Sequence, residues 1–473
     1  MSARTGMLHH RTTVAASGIV LLAIFWVNMA QAADRSWSNP AGGTFSNAAN
    51  WQGGVAPTAA DNAVFDLDAP DLYTVTLSAP AAVTQLLIDR DQVLLDLASF
   101  GLTASSTGFT LPSLTVAGTA GTNGSLELRN GTLTTATAGI SRIGDFGNGT
   151  LTLANGAKWT GTGYLAFRDG STGTVNISGA GSTWTADGQY VGNGGTGTLA
   201  VSAGGSVVTN EASYIGLNAA SHGDATVTGP GSSWTGSKNY LTVGYGGHGT
   251  LTVNDRGLIS SQSLKLGANA NSVGLVNLDG ATGATARSTI AVSGAQSAGV
   301  MVGDNGSGTL NVTNGALLTD GGTFWIGYEP GSSGVVNVSG AAGGNNAEIR
   351  VTGMMTIARS IYNNPGAGGG NGSLTVGAGG SVTISGASYL GSTGVGAGAG
   401  TIKLDGGTFT THGLSVSAGS AVIHNAGTMI INGGAYAPAV TSLALAGATA
   451  SDTATLRLTN AASLNLPGAL YLG

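Results

Sequence analysis

The sequence predicts an all-β chain wound as a right-handed parallel β-helix. Three observations carry that expectation: a composition rich in Gly and poor in charge, a repeat locked at about 24 residues, and strict alternation of apolar and hydroxyl residues inside each repeat. Of 473 residues, 83 are Gly, and charged residues make up 8%, against roughly 25% in ordinary soluble domains. Gly costs about 1 kcal/mol per helical position, so a helical bundle is excluded. With 10 Pro and no G-X-Y period, so is collagen. The absence of Cys rules out a disulfide scaffold. A hydrophobic share of 41% leaves enough Val, Leu and Ile for a core and argues against disorder.

The repeat begins near residue 124. Gly, then Ser or Thr, then an alternating strand recurs at Gly124-Ser125-Leu126, Gly149-Thr150-Leu151, Gly173-Thr174-Val175, Gly197-Thr198-Leu199, Gly249-Thr250-Leu251 and Gly308-Thr309-Leu310. A second marker, an apolar residue followed by Gly, falls between these at Ile143-Gly144, Val191-Gly192, Ile215-Gly216, Val243-Gly244 and Val302-Gly303. A double period is superimposed: Ser178-Gly179-Ala180-Gly181-Ser182-Thr183-Trp184 returns as Thr228-Gly229-Pro230-Gly231-Ser232-Ser233-Trp234. In Thr250-Leu251-Thr252-Val253 the period of two points Leu and Val inward and Thr outward. Gly and Asn take the corners, where φ > 0 or close backbone approach is required. Some fourteen coils at strand spacing would build a rod of about 65 Å. Antiparallel sandwiches are the weaker architecture, because their hairpin signals recur every 8–12 residues or so.

Three regions are expected. Residues 1–32 read as a signal peptide: Arg4 and Arg11 precede an apolar run from about Ile19 to Val27, and Ala30-Gln31-Ala32 supplies a small-x-small cleavage pattern. The run is shorter than the roughly 20 residues a membrane span needs. Residues 33–70, with Trp37, Phe45, Trp51 and Phe65, read as an N-terminal cap over the open core. Residues 71–473 read as the coils. The last of them stop in mid-pattern at Leu470-Tyr471-Leu472-Gly473, which predicts a truncated product. Removing 1–32 takes away two Arg and leaves 14 basic against 22 acidic residues, a net charge of −8. No basic cluster remains for nucleic acid or anionic lipid.

The Gly-Thr-Leu-Thr-Val units with their Gly-Ser-x-Trp turns resemble the repeats of type V autotransporter passengers and PEP-CTERM exported proteins. The stretch Gly43-Thr44-Phe45-Ser46-Asn47-Ala48-Ala49-Asn50-Trp51 is similar to the segment that opens such passengers. The resemblance covers most of residues 37–473. It implies export to the outside or outer-membrane surface of a Gram-negative bacterium, and a role in adhesion or extracellular matrix. A C-terminal barrel and a Val-Pro-Glu-Pro sorting tail are both missing, which leaves the export route open.

Candidate chemistry is sparse. Gly192-x-Gly194-x-x-Gly197 matches a dinucleotide fingerprint, but a strand follows it instead of a helix. Asp145-Phe146-Gly147 has no accompanying phosphate-binding Lys. Calcium nonapeptide repeats need a carboxylate where Gly246-Gly247-His248-Gly249-Thr250 has Thr. Polysaccharide hydrolysis needs paired carboxylates, and the acids here fall singly, among them Asp187, Asp224, Asp279 and Asp320. After residue 32 the histidines are His222, His248, His412 and His424, without metal-ligand spacing. The expectation is therefore no catalytic residue, no metal and no cofactor. Trp159, Trp184, Trp234 and Trp325 are the candidates for surface contact with glycans, with host or neighbouring cells, or with copies of the chain; the plainer reading has them filling gaps between coils. The expected function is a non-catalytic structural β-helix acting through multivalent contacts. A polysaccharide-active β-helix enzyme and a passive passenger stalk are the alternatives.

Overall fold

The computed structural model describes residues 32–236, 238, 240–280, 286–294, 299–358, 369–391, 398–438, 442–445, 453–465 and 469–472. Nearly all of the expected signal peptide lies outside the described residues. Residues 33–473 form one unit, a parallel β-helix. Its strands join a single 42-stranded sheet, with one further pair, Ser442–Leu445 and Ala469–Leu472, alongside.

Each coil contributes one strand to each of three ladders. On face one, Asn123–Arg129 pairs with Asn148–Ala154, then Thr172–Ser178, then Thr196–Ser202, all parallel. On face two, Thr132–Thr135 pairs with Lys158–Thr160, which pairs with the first half of Thr183–Val191. On face three, Ser141–Ile143 pairs with Gly163–Leu165, which pairs with the second half of Thr183–Val191. The Gly-Thr-Leu marker lies in register on face one: Gly149, Gly173, Gly197, Gly223 and Gly249 stack coil on coil. Leu151, Val175, Leu199 and Leu251 point inward and are buried, and the Thr residues between them are half-buried on the outer surface. Stacking of this kind turns a period of two in sequence into continuous apolar columns, each fully buried Leu or Val contributing about 1.5–3 kcal/mol.

The second marker marks a corner. Gly192 has φ +73°, and a Cβ there would stand 2.1 Å from the carbonyl oxygen of His222 in the next coil. Both conditions demand Gly. The double period has its own cause. Ser182 and Ser232, from the Gly-x-Gly-Ser-x-Trp turns, each accept the turn amide of the preceding coil: Gly156 N at 3.1 Å and Gly204 N at 3.0 Å. Coils with a serine turn thus satisfy the backbone of the coils with an Asn-Gly or Gly-Gly turn.

Residues 33–70 are continuous with the ladders. Ala33–Ser36 pairs with Asp61–Phe65, and that strand pairs with Gln85–Ile88. Two short 3-10 turns, Ala48–Asn50 and Gln52–Gly54, flank Trp51. Trp51 stands edge-on to Trp37 at 5.0 Å and to Phe45 at 5.2 Å, giving a packed aromatic cluster. The loop after Phe65 is held by the fully buried Asp91, which accepts Tyr73 Oη at 2.6 Å, Leu67 N at 2.9 Å and Ala69 N at 3.1 Å.

The tryptophans correct the sequence expectation. Trp159, Trp184 and Trp234 are 0% exposed and Trp325 is 1% exposed, so none of the four offers a ring for surface contact. Trp159, Trp184 and Trp234 are interior members of face two, in the column Leu133, Trp159, Trp184, Val207, Trp234, Ile259. Trp159 and Trp184 stack at 4.5 Å with planes 10° apart. Their indoles donate inside the corner: Trp184 Nε1 to Gly161 O at 2.9 Å, and Trp234 Nε1 to Thr209 Oγ1 at 2.9 Å. Gly163 makes room for both rings, since a Cβ there would lie 2.5 Å from Trp159 and 2.6 Å from Trp184. Trp325 occupies an outward position of face three, yet it is covered and meets Tyr328 edge-on at 6.0 Å.

Candidate functional site

The outward positions of face three carry what the tryptophans do not. Tyr164, Tyr190 and Tyr214 are in register on successive coils, each just before the inward residue of its strand. Tyr164 and Tyr190 stack at 4.2 Å with planes 1° apart, and Tyr190 and Tyr214 at 5.6 Å with planes 16° apart. The row continues in both directions. Tyr245 closes one end edge-on to Tyr214 at 5.0 Å. At the other end Phe167 meets Tyr164 edge-on at 5.6 Å and Phe109 lies 5.6 Å beyond it. Six rings therefore form an unbroken row, in which Phe167 is buried and links Phe109 to the tyrosines. Tyr164, Tyr190 and Tyr214 are half-buried, while Tyr245 and Phe109 are exposed.

Parallel strands place identical positions about 4.8 Å apart, the separation at which rings stack. The middle rings spend their faces on one another and present edges and hydroxyls. The Tyr164 phenol is held protonated well above the ordinary tyrosine range, first by burial and then by Tyr190 beside it. Tyr214 is raised likewise by burial and by its neighbours Tyr190 and Tyr245. Tyr164 and Tyr214 thus present neutral hydroxyls along the track.

A buried cation anchors its Phe end. The Arg142 guanidinium sits 4.1 Å over the Phe167 ring and 5.6 Å from the Phe109 ring. It bonds Asp145 Oδ2 at 2.9 Å, and both side chains are under a tenth exposed. Arg168 reaches the same carboxylate at 3.4 Å and lies over Phe146 at 4.8 Å. The Asp145-Phe146-Gly147 tripeptide therefore serves as a clasp for neighbouring turns.

Beside the track, at the corner between faces two and three, lies a cleft of about 120 Å³ lined by Thr135, Thr160, Thr162, Thr185, Asp187 and Asn210, with Thr137, Gly161 and Ala186. A register shift between Ala186 and Gly188 opens it. Asn210 Nδ2 donates to Asp187 Oδ1 at 3.1 Å. Asp187 is the one acidic residue on the lining.

The remaining sequence candidates are dispersed. Gly192, Gly194 and Gly197 form a corner and enter the strand Thr196–Ser202 with no helix behind it. Asp279 accepts Thr313 Oγ1 and Asn314 Nδ2, both at 2.7 Å. Asp320 is buried and accepts Gly322 N and Val300 N. His222 and His248 begin adjacent face-one strands, exposed, with rings stacked at 5.0 Å. Among the described residues no group of three or more His, Asp or Glu is placed to hold a metal ion. No described helix is long and apolar enough to cross a membrane.

The sequence reading passed over the tyrosines, although a signal exists. Tyr190 and Tyr214 sit directly before the apolar residue of the second marker, in Tyr190-Val191-Gly192 and Tyr214-Ile215-Gly216, and Tyr164 before Leu165, where Ala166 stands in place of Gly.

No family model matches the chain. It is 32% identical over 202 residues to the uncharacterized lipoprotein YdeK of Escherichia coli strain K12, a match covering 42% of this chain and 14% of that protein. The chain thus spans about a seventh of that relative's length. Among solved structures, the TibC-catalysed hyper-glycosylated fragment 55–350 of TibA aligns over 80% of this chain and 97% of its own, at 15% identity and a TM-score of 0.33.

Proposed function

We propose that the protein is an exported, surface-displayed β-helix that acts without catalysis, as an adhesion or matrix module contacting its partner through the aromatic track of face three. The carrying observation is the track itself: three half-buried tyrosines and the exposed Tyr245 and Phe109, joined through the buried Phe167, on a rigid ladder whose face-one outward positions hold mainly Thr and Asn. Aromatic rings gathered on one part of a surface favour contact there, since each offers an apolar edge with a polar tip. A rod repeats its contacts at fixed spacing, so weak single contacts combine into avidity. The leader-like segment 1–32 and the partial likeness to a bacterial lipoprotein support export. A carbohydrate-active enzyme would need at least two convergent carboxylates, and the cleft beside the track offers Asp187 alone.

The test is adhesion of bacteria displaying the chain, or of beads coated with it, to cells and glycan-coated surfaces under flow. Replacing Tyr190, Tyr214 and Tyr245 together by Ser should reduce retention at least fivefold, with circular dichroism and protease resistance unchanged. Retention equal to the parent chain would refute the assignment of the contact face. Release of sugars from any polysaccharide by the purified chain would refute the non-catalytic reading.

A further inference from the structure

We infer that the corner cleft is a saccharide subsite, which takes one neutral sugar ring of a glycan lying along the tyrosine track. The inference rests on the reading of that track as the contact face and names the chemistry of its ligand.

The cleft is built into the fold. Gly161 has φ +147°, and a Cβ there would stand 1.7 Å from Thr135 Oγ1. Between the pairs Ala186–Thr209 and Gly188–Ala212, the single Asp187 faces two residues of the next coil, Asn210 and Glu211. Thr135 Oγ1 is fixed from behind: it donates to Thr160 O at 3.1 Å and accepts Trp159 Nε1 at 3.3 Å. It also accepts Ser141 Oγ at 3.3 Å, so the floor is a rigid surface held from within and backed by the stacked indoles.

The lining defines the ligand. Five threonines, one carboxylate and one carboxamide line about 120 Å³, room enough for ordered water. Most of the exposed wall is apolar, with the polar groups set along it; a sugar ring offers an apolar face to the one and hydroxyls to the other. A ligand gains there only if it reproduces the hydrogen bonds of the water it displaces, and a sugar ring with several hydroxyls on a rigid frame does so. Asp187 accepts only, with room for more donors than Asn210 supplies; Asn210 both donates and accepts. Lys and Arg are absent from the lining. With a carboxylate in the cleft and an acidic chain around it, uronate and sialate sugars are disfavoured.

The cleft adjoins the track. A Cβ on Gly188 would lie 3.2 Å from the Tyr190 ring and 3.3 Å from its hydroxyl, so the phenol lies over Gly188, the residue after Asp187. Thr162, on the lining, is two residues before Tyr164 and shares its outward face. A glycan with one ring in the cleft can lay the next against the tyrosine edges.

The experiment applies the whole chain to an array of neutral oligosaccharides (glucans, mannans, N-acetylglucosamine oligomers) and acidic ones (oligogalacturonates, sialylated chains), then titrates the strongest binder by calorimetry. Binding to a neutral chain, with at least a tenfold loss in Asp187→Ala and in Asn210→Ala, is the expected result. Asp187→Asn, which keeps the shape, should lose less. No neutral binder, a preference for acidic chains, or unchanged affinity in Asp187→Ala would overturn the subsite. The two readings separate cleanly. Tyrosine-dependent adhesion with a blank array removes the subsite and leaves the contact face. Asp187-dependent glycan binding with adhesion indifferent to the tyrosines does the reverse.

Discussion

Trp184→Ala separates a core tryptophan from a contact tryptophan. The side chain is 0% exposed, stacks on Trp159 at 4.5 Å, and donates to Gly161 O at 2.9 Å. Val207 is its column neighbour on the other side. Truncation removes the largest buried side-chain type, leaves a cavity that neighbouring coils cannot close, and strands a carbonyl. Trp→Ala substitutions in cores cost about 3–5 kcal/mol, a range that already contains the lost stacking and hydrogen bond. In a solenoid each coil contacts chiefly its neighbours, so the loss is local. Amide hydrogen exchange should therefore accelerate roughly a thousandfold in the strands Lys158–Thr160, Thr183–Val191 and Ser206–Ile215. Strands six or more coils away should change little. Exchange accelerated less than tenfold in those three strands would refute the burial, as would strong iodide quenching of Trp184 in the parent chain.

Gly192→Ala should destabilise by more than about 2 kcal/mol, seen as a lower melting temperature, because φ +73° and a 2.1 Å approach to His222 O both oppose a side chain. Ser182→Ala should cost about 1–3 kcal/mol by leaving the Gly156 amide unpaired, measured by urea unfolding. Folded Asp320 titrates at about 6 against 3.8 for a free side chain, raised by burial and only partly offset by the Gly322 and Val300 amides. The folded chain then holds a proton that the unfolded chain releases, so stability present below pH 3.8 declines as pH rises to about 6, by about 3 kcal/mol. Asp320→Asn should abolish that decline; an identical pH profile would exclude the mechanism. In Asn311→Asp the lost donor to Asn277 Oδ1 should cost about 1 kcal/mol at pH 7 and recover below pH 4, where the carboxyl regains a proton; unfolding curves at the two pH values test it.

The fold was legible because its requirements recur. A corner such as Gly192 needs Gly, its face-one partner Gly197 needs Gly, and the strand between corners needs an apolar residue at every second position, so each coil repeats the same message. Whether a tryptophan faced in or out was written less plainly. Thr183-Trp184-Thr185 aligns with Ser206-Val207-Val208, and that alignment puts Trp184 in a position that the next coil fills with Val. The bulge after Ala186 and the unequal loops blur it when repeats are counted from the face-one markers. The tyrosine track was harder still, since it depends on single residues beside a marker whose apolar and Gly members draw the attention. The corner cleft had no sequence signal, because Thr135, Thr160, Thr185 and Asn210 meet only through the pairing of four successive coils and one register shift.

Parallel stacking also selects which polar residues a surface of this kind can hold. Every outward side chain meets a near copy of its environment one coil above and one below. Residues that carry both donor and acceptor satisfy themselves in such a column: Asn337 donates to Asn311, which donates to Asn277, each at 2.9 Å. Tyr rings gain by stacking face to face. A column of Lys or Glu would repel itself at every step. Charge survives chiefly as neighbouring pairs, as in Lys265–Asp304 and Arg287–Glu348. The low charge of the chain is thus a consequence of the ladder, and it limits how the molecule can recognise a partner. A stripe of like charge is disfavoured on such a ladder. Neutral hydrogen bonds and aromatic edges, repeated at the spacing of the coils, remain, and face three is where the sequence concentrates them.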